Sequence, residues 1–340
     1  MQTQLLNADY PKSIQTAAQI LKNGGLVGMP TETVYGLAAN ALNGKAVAQI
    51  FAAKGRPMDN PLIVHISDIS QLDRLVKLVP QSAKKLAEQF WPGPLTMILP
   101  KSELIPEEVS AGLDTVAVRF PSHPVARALI DAAGLPLAAP SANLSGQPSP
   151  TTAMHVMNDL NGKIDAVLDG GPCGVGLEST VITLATDPPC LLRPGGITPE
   201  QLQSVLGTVE LDNAVLNPLA QGVRAASPGM KYKHYSPKAN VIILKGSFEA
   251  YKSYVNSHNM EGTAALCYDG ENDQLSVPAV CYGKEDDYFE QARELFDALR
   301  KLDDRKAKTV YARCPEPRGV GLAVYNRLIR AAGFEVLQLE

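Results

Sequence analysis

The fold is decided by residues 14–33, which read IQTAAQILKNGGLVGMPTET. The apolar residues at 14, 17, 18 and 21 have the spacing of one face of an α-helix, and Gly24-Gly25 ends that helix. Leu26-Val27-Gly28-Met29 then predicts a short strand, and Pro30-Thr31-Glu32-Thr33 places polar side chains directly after it. This order of helix, strand and polar strand end is typical of an α/β protein with its site beside the sheet.

The same alternation recurs further along the chain. Apolar periodicity predicts helices near 45–53, 82–90, 124–133 and 152–160. Strands are predicted at 62–67, 95–99, 115–120, 137–139, 166–168, 180–184 and 190–193. The pattern indicates an α/β or α+β domain, and the polar residues beside its strands are expected to lie along one edge of the sheet.

The length of 340 residues fits two domains. A last helix of the first domain, predicted to span 1–207, begins with the capping box of Thr198 and Gln201. Residues 208–238 are rich in Pro and Gly and predict a linker, but residues 231–235 contain two Tyr, two Lys and a His. We therefore expect this linker to contact the site as a lid.

Residues 239–340 alternate strand and helix again, which predicts a small Rossmann-like α/β domain. This part of the sequence has no G-x-G-x-x-G after a strand, so the sequence gives little support for a dinucleotide role. The full prediction is a two-domain α/β protein with a lid-forming linker.

Composition excludes several classes of protein. The formal charge of -4 and the pI near 5.8 argue against a large nonspecific nucleic-acid surface, although a small RNA contact stays open. No apolar run approaches the roughly 20 residues of a membrane span, and the amino terminus lacks a signal-peptide layout, so a cytoplasmic location is expected. The five cysteines form no C-x-x-C pair, which predicts buried thiols and makes Cys173 an improbable nucleophile.

Two cations and a turn suggest a phosphate site. Lys54 and Arg56 precede two prolines and can grip a phosphate chain from a constrained loop, whereas the alternative is a solvated pair. The segment from Pro140 to Gly146 offers hydroxyls, an amide and backbone N–H groups for an anion or sugar, although turn formation alone also explains it. Because Ser141, Asn143 and Arg193 also lie at strand ends, we favour the phosphate interpretation.

A second set of strand-end residues suits an amino acid. Thr31, Arg119 and Ser179 can form a clamp for a carboxylate, but Arg119 can equally pair with a carboxylate of its own fold. His65 ends a strand and is either a structural or a functional histidine. Residues 171–176 have Walker-like glycine spacing, yet Leu177-Glu178 follow where Lys and Ser or Thr would be required, so no P-loop is predicted.

Six motifs together resemble the YrdC-like threonylcarbamoyl-AMP synthases, over about residues 15–207 and in consistent order. They are Pro30-Thr31-Glu32-Thr33-Val34-Tyr35-Gly36-Leu37, Lys54-Gly55-Arg56-Pro57, Asn60-Pro61-Leu62, Pro140-Ser141-Ala142-Asn143, Ser179-Thr180-Val181 and Arg193-Pro194-Gly195. The segment from Ser227 to Tyr235 and the domain after it are similar to the long, two-domain form of that family. The resemblance implies a YrdC-like twisted open sheet with a concave cleft.

The resemblance also implies an activity. Such enzymes join L-threonine, bicarbonate and ATP, with Mg²⁺, into threonylcarbamoyl-AMP and pyrophosphate, and a partner complex then transfers the threonylcarbamoyl group to tRNA adenosine beside the anticodon. It implies catalytic roles for Lys54 and Arg56 and a lid role for Tyr235. The implied threonine-binding residues are Thr31, His65, Arg119 and Ser179; the implied ATP-binding residues are Lys54, Arg56, Thr115, Ser141, Asn143, Ser145, Arg193 and His234.

Two alternatives remain at the level of sequence. One is a carbamoyl-adenylate-forming maturation enzyme that shares the domain, although the cysteine spacing supplies no zinc finger of the kind that such a protein carries. The other is a non-catalytic RNA-binding translation factor, which the acidic pI disfavours.

Overall fold

The computed structural model describes residues 2–218 and 235–340, which form two compact units. The first unit contains the residues up to Ser145 together with Ser149–Val215. The second contains Gly146–Pro148, Leu216–Pro218 and the residues from Tyr235 onward. His234, and with it most of the predicted lid, lies outside the described residues.

The first unit is built on an 11-stranded mixed sheet. Its strands are β1 Gln4–Asn7, β2 Val27–Met29, β3 Gly36–Asn40, β4 Ile63–His65, β5 Leu95–Pro100, β6 Thr115–Arg119, β7 Leu137–Ala138, β8 Ala166–Asp169, β9 Thr180–Thr183, β10 Cys190–Arg193 and β11 Glu210–Leu211. The order across the sheet is β1-β8-β2-β3-β7-β4-β6-β5-β9-β10-β11. Parallel and antiparallel pairs alternate irregularly, as in an open α/β sheet.

In the described part of the first unit, eight α-helices flank this sheet and bury its apolar side chains. They are α1 Pro11–Lys22, α2 Gly44–Lys54, α3 Leu72–Leu75, α4 Gln81–Phe90, α5 Glu107–Ser110, α6 Pro124–Ala133, α7 Ala153–Leu160 and α8 Pro199–Leu206. The capping box predicted for α8 is present, since the Thr198 hydroxyl accepts from the Gln201 N–H and the Gln201 side chain accepts from the Thr198 N–H. The main core contains Tyr35, Phe51 and Trp91.

The second unit is a five-stranded, all-parallel sheet in the order β14-β13-β15-β12-β16. Its elements are β12 Asn240–Lys245, α9 Phe248–Ser257, β13 Thr263–Cys267, β14 Ala279–Cys281, α10 Tyr288–Asp304, β15 Thr309–Arg313, α11 Gly321–Ala331 and β16 Val336–Gln338. The predicted fold class, a mixed α/β unit on a large sheet followed by a small Rossmann-like unit, is confirmed.

Arg313 holds together the loops at the carboxyl end of the second sheet. Its guanidinium pairs with Glu271 at 3.0 Å and Glu285 at 2.8 Å, and it donates to the Gly246 carbonyl at 3.0 Å. The Tyr268 ring lies 5.1 Å from it. Rossmann-like folds bind ligands at this end of the sheet, and here a buried arginine and its partners occupy the space.

Candidate functional site

Arg119 lies at the centre of a polar cluster because its strand is flanked by two others. It ends β6, where it is the register partner of His65 on β4 and of Thr96 on β5. Neighbouring strands are about 4.8 Å apart, and partners in register share one face of the sheet. Two of the predicted threonine-binding residues, His65 and Arg119, are therefore direct neighbours.

The side chain of Arg119 binds groups of its own protein. Its Nη2 lies 2.6 Å from Glu32 Oε1, and Nη1 donates to Thr33 Oγ1 at 2.8 Å. Its Nε donates to the Gly93 carbonyl at 3.4 Å. Only 4% of the Arg119 side chain and 13% of the Glu32 side chain are exposed. Of the two sequence alternatives, this geometry favours the one in which Arg119 pairs with a carboxylate of the same fold.

The hydroxyls of Thr31 and Thr33 continue this network. Thr31 Oγ1 donates to the Val34 carbonyl at 2.6 Å and accepts from the N–H groups of Thr33 and Val34, both at 3.2 Å. Since Thr31 uses its proton there, Thr33 Oγ1 donates to Thr31 Oγ1 across 2.8 Å. Arg119 thus fixes the direction of two hydroxyl protons and closes the turn that follows β2.

The Glu32–Arg119 pair influences the protonation states of the titratable side chains in this cluster. Burial raises the pKa of Glu32, but the charge of the Arg119 guanidinium, its hydrogen bond to the carboxylate and backbone hydrogen bonds together hold that pKa below its ordinary value. Burial, aided by the nearby Arg119 charge, lowers the pKa of His65 to about 3. His65 is therefore neutral at pH 7, with Nδ1 lying 3.2 Å from the Ile63 carbonyl.

Ser179 and Arg193 form the next part of the site. Ser179 precedes β9, and its Oγ lies 2.7 Å from Thr96 Oγ1. Arg193, at the end of β10, donates from Nε to the Ser179 carbonyl at 3.0 Å and from Nη2 to Ser179 Oγ at 3.2 Å. Because Thr96 is the register partner of Arg119, this group lies beside the Arg119 cluster.

Lys54 organises a second cluster at the end of α2. Its Nζ donates to the Ser141 carbonyl at 2.5 Å, the Asn143 carbonyl at 2.5 Å and Asn143 Oδ1 at 3.3 Å. Three acceptors match the three N–H bonds of an ammonium group. Burial, and then the charge of Arg56, lower the pKa of Lys54 well below its usual value. Lys54 therefore ties the Ser141–Asn143 turn to the helix.

The neighbours of Lys54 complete this second cluster. Gly55 ends α2 with φ 61°, a left-handed conformation that turns the chain toward Arg56. Arg56 is buried and donates to the carbonyls of Asn60 at 3.4 Å and Pro61 at 3.3 Å. Ser145 is exposed, and its N–H donates to the Lys54 carbonyl at 2.9 Å.

Glu178 connects the two clusters. Its carboxylate accepts a hydrogen bond from the Ser149 hydroxyl, and its charge reaches Lys54. It is buried and directly precedes Ser179, so the Lys54 cluster and the Arg193 group meet at this residue. The result is a continuous polar region in the first unit that joins the Arg119 cluster, the Arg193–Ser179 group and the Lys54 cluster.

The comparisons with known proteins agree with this architecture. Residues 19–195 match the model of the Sua5–YciO–YrdC family, described as telomere recombination. The chain belongs to the Sua5–YciO–YrdC family. Residues 197–333 match a further model of this group, described as threonylcarbamoyl-AMP synthase, C-terminal domain, and together the two matches fit the long, two-domain form of the family.

Individual members of the Sua5–YciO–YrdC family are similar over nearly the whole chain. The threonylcarbamoyl-AMP synthase of Bacillus subtilis is 47% identical and spans 99% of this chain and 97% of its own length. That of Pyrococcus abyssi is 45% identical and spans 96% of each. The crystal structure of P. abyssi Sua5 complexed with L-threonine matches with a TM-score of 0.94 and 44% identity, over 99% of this chain and 100% of that one.

Not every residue suggested by the family resemblance lies in the polar region described above. Thr115 begins β6, whereas Arg119 ends it, so their backbones are about 13 Å apart at the usual rise per residue. Tyr235 lies in the second unit, 1% exposed, with its ring 5.3 Å from that of Phe296 and 5.5 Å from the Arg327 guanidinium. The lid role of Tyr235 stays a prediction.

The expectation of one common sheet edge is wrong. β7 runs antiparallel to β4, so Ser141 follows one strand and His65 ends its neighbour at opposite ends of the pair. The two clusters approach each other through side chains and through the segment before β9 rather than along a single edge. A single sequence carries no direct signal for the direction of a two-residue strand such as β7.

The sequence analysis missed four members of the site. Glu32 and Thr33 were quoted as part of a motif without a role, and Glu178 was noted only as a departure from the Walker pattern. Thr96 was missed entirely, although a polar residue inside the apolar run Leu95–Pro100 is a usable signal. Glu32 and Thr33 both bind the Arg119 guanidinium, and Arg119 is too distant in the sequence for a local pattern to predict these contacts.

The cysteines carry no sign of catalysis. All five are free thiols; Cys173 and Cys267 are buried as predicted, and the other three are half-buried. Burial, with a contribution from the Glu32 charge, raises the pKa of Cys173 to about 12, which suppresses the reactive thiolate.

Among residues 2–218 and 235–340, no group of three or more His, Cys, Asp or Glu is placed to hold a metal ion. No helix in the same ranges could cross a membrane.

Proposed function

We propose that the chain is a threonylcarbamoyl-AMP synthase that converts L-threonine, bicarbonate and ATP into threonylcarbamoyl-AMP and pyrophosphate. The observation that carries this proposal is the similarity, over nearly the full length of both chains, to threonylcarbamoyl-AMP synthases and to a Sua5 structure complexed with L-threonine. The polar region of the first unit supports it, since it offers separate groups for a small amino acid and for a polyphosphate.

The reaction needs no protein nucleophile. The threonine amine forms a carbamate, either with carbon dioxide, releasing a proton, or with bicarbonate, releasing water. A carbamate oxygen then attacks the α-phosphorus of ATP while pyrophosphate leaves. Two anions must be brought together, so catalysis consists mainly of positioning and of charge neutralisation. In this proposal Thr31, His65, Arg119 and Ser179 surround threonine, and Lys54 and Arg56 organise the site of ATP.

The role of Lys54 and Arg119 in the reaction depends on the protein groups that they already bind. Lys54 and Arg119 already have protein partners, so they hold in place the turns that contact substrate, and the charge of Arg119 is offset by Glu32. A preorganised cation needs no reorganisation at the moment of reaction. The further ATP-binding residues proposed are Thr115, Ser141, Asn143, Ser145, Arg193 and His234, of which His234 lies outside the described residues and Thr115 lies at the far end of β6.

Mg²⁺ is proposed to enter as part of the ATP substrate. In nucleotide sites this ion is held mostly by phosphates and by one or two carboxylates. Asp159 and Glu178 are the carboxylates whose charge reaches Lys54, but the Glu178 carboxylate already accepts from the Ser149 hydroxyl, so the phosphates of ATP would supply most of the ligands. The ion would neutralise the phosphate charge that opposes attack by the carbamate.

The wider roles follow from the same proposal. The product would supply a separate complex that modifies tRNA adenosine beside the anticodon, with at most a weak tRNA contact by this chain, and the enzyme would work in the cytoplasm.

The test of the proposed function is pyrophosphate release from ATP–Mg²⁺ by purified protein, with threonine and bicarbonate omitted in turn. We expect release only when both are present. Release without threonine would contradict the proposed acceptor.

A further inference from the structure

The chain leaves the first unit and returns to it between β7 and α7. In this loop the residues up to Ser145 and those from Ser149 onward belong to the first unit, whereas Gly146–Pro148 belong to the second. The part of the loop before the crossing, residues 141–145, is the turn that Lys54 holds. A segment of three residues therefore connects the second unit directly to this turn.

Hydrogen bonds of the first unit fix the chain on both sides of the segment. Before it, the Ser145 N–H donates to the Lys54 carbonyl at 2.9 Å. After it, the hydroxyl of the buried Ser149 donates to the Glu178 carboxylate. Four Cα–Cα steps separate Ser145 from Ser149, and they can span at most about 14 Å. Because the connection is so short, a shift of residues 146–148 moves one or both of its ends.

Two hydrogen bonds hold the segment within the second unit. Arg300 on α10 donates from Nη2 to the Pro148 carbonyl at 2.6 Å. The Ser236 N–H donates to the Gly146 carbonyl at 2.9 Å, and the Ser236 hydroxyl lies 3.1 Å from the carbonyl of Ala331, the last residue of α11. The segment is thus bound to α10 directly and to α11 through Ser236.

The bond from Arg300 is the stronger of these two attachments. Its donor is a guanidinium, and hydrogen bonds from charged donors are shorter and about twice as strong as neutral ones, whereas the Ser236 bond joins two backbone groups. Pro148 is buried, so its carbonyl would lose free energy if it lost its donor. Gly146, at the other end of the segment, has φ 89°, a left-handed conformation that bends the chain there. Arg300 therefore contributes most to the position of residues 146–148.

We propose that Arg300 is a positioning residue for the nucleotide site. By holding the Pro148 carbonyl, it keeps residues 141–149 in the arrangement that binds ATP. This inference rests on the proposed function, which assigns three side chains of the loop to ATP. It gives the second unit a role in the reaction, because a side chain of α10 acts on substrate binding through the loop and contacts no substrate itself.

Amide hydrogen exchange on the full-length protein without ligand gives the first test. Arg300→Met keeps the length of the side chain and removes its donors. Arg293→Gln is the matched control, because Arg293 lies on the same helix and pairs with Glu290 and Glu294 of that helix. We expect faster exchange in the peptide that covers residues 141–149 for Arg300→Met alone, with β12 and β13 unchanged. Equal exchange of this peptide in both variants overturns the proposal, as does faster exchange throughout the second sheet, which would mean that Arg300 only stabilises the second unit.

The affinity for ATP–Mg²⁺ gives the second test, measured by calorimetry and by steady-state kinetics. We expect Arg300→Met to raise Kd and KM for ATP about tenfold, as when a hydrogen bond from a charged donor is lost, and to change KM for threonine by less than about twofold. Arg300→Lys keeps a charged donor and should recover part of the affinity, and Arg293→Gln should bind ATP normally.

Normal ATP affinity in Arg300→Met, or an equal rise in KM for both substrates, overturns the proposal. Calorimetry needs no turnover, so a failed pyrophosphate assay would contradict the proposed function and leave this test intact.

Discussion

The Glu32–Arg119 pair should be worth more to stability than any surface ion pair of this protein. Glu32→Gln keeps the size of the side chain but removes the charge opposite a guanidinium that is only 4% exposed. Arg119 would then retain its bonds to Thr33 and Gly93 while its charge stays buried and uncompensated. Removing one partner of a buried pair costs about 3–5 kcal/mol, and the 13% exposure of Glu32 favours the lower end, about 3 kcal/mol.

Urea unfolding measures this free energy directly. The chain contains one tryptophan, Trp91, which is buried in the core of the first unit and reports on its unfolding through fluorescence. Glu88→Gln, an exposed glutamate on α4, is the control and should change stability by less than about 0.5 kcal/mol. A loss below about 1 kcal/mol for Glu32→Gln would mean that water compensates Arg119 and that the buried-pair argument fails.

The same pair predicts a pH dependence. Since Arg119 lowers the pKa of Glu32 in the folded state, the pair contributes its full stability above the ordinary glutamate pKa of about 4.3. That contribution is lost as the pH falls through the lower, folded-state pKa. The difference in unfolding free energy between wild type and Glu32→Gln should therefore be constant near neutral pH and shrink in acid. A difference that grows on acidification would contradict the assigned direction.

Three further predictions follow from the structure. Lys54→Ala should lower kcat/KM by about 10²–10³ and raise KM for ATP, because it removes a fixed cation and releases the Ser141–Asn143 turn; near-normal steady-state kinetics would refute this. His65→Gln should flatten the fall in unfolding free energy between pH 6.5 and about 3, because the folded-state pKa of His65 is about 3 and the unfolded chain takes up a proton over this range. An unchanged pH profile would count against a buried neutral histidine. Arg313→Gln should destabilise the second unit by about 2–3 kcal/mol, seen as faster amide exchange in β13 and β15; unaltered exchange would show that the loops do not depend on it.

Apolar periodicity and boundary residues in the sequence predict most of the helices and strands. The helix predicted at 124–133 is α6, Pro124–Ala133, and the strand predicted at 190–193 is β10, Cys190–Arg193. Both have strong apolar periodicity or a clear boundary residue. The strands that were missed are weakly marked: β3 is rich in Gly and Ala, and β1, β11 and β16 are short strands at sheet edges with mostly exposed side chains.

Site residues were predictable as residue types at strand ends, but their partners were not. Arg119 was expected to hold either a substrate carboxylate or a carboxylate of the fold, and the sequence offered no basis for choosing Glu32. Lys54 was expected to contact phosphate, whereas its three bonds go to Ser141 and Asn143. Side-chain pairing depends on strand direction and close packing, which a single sequence does not encode locally.

The bonds that Lys54 and Arg119 already make limit what these cations can contribute to the reaction. A free lysine or arginine loses about 1.5–2 kcal/mol of rotamer freedom when it closes on a ligand, whereas Lys54 and Arg119 have already lost that freedom on folding. Their charges are in place before substrate arrives, but most of their N–H bonds are used. Lys54 and Arg119 therefore act mainly by holding the turns around the substrates in place, and the contacts they organise are as important to the reaction as their charges.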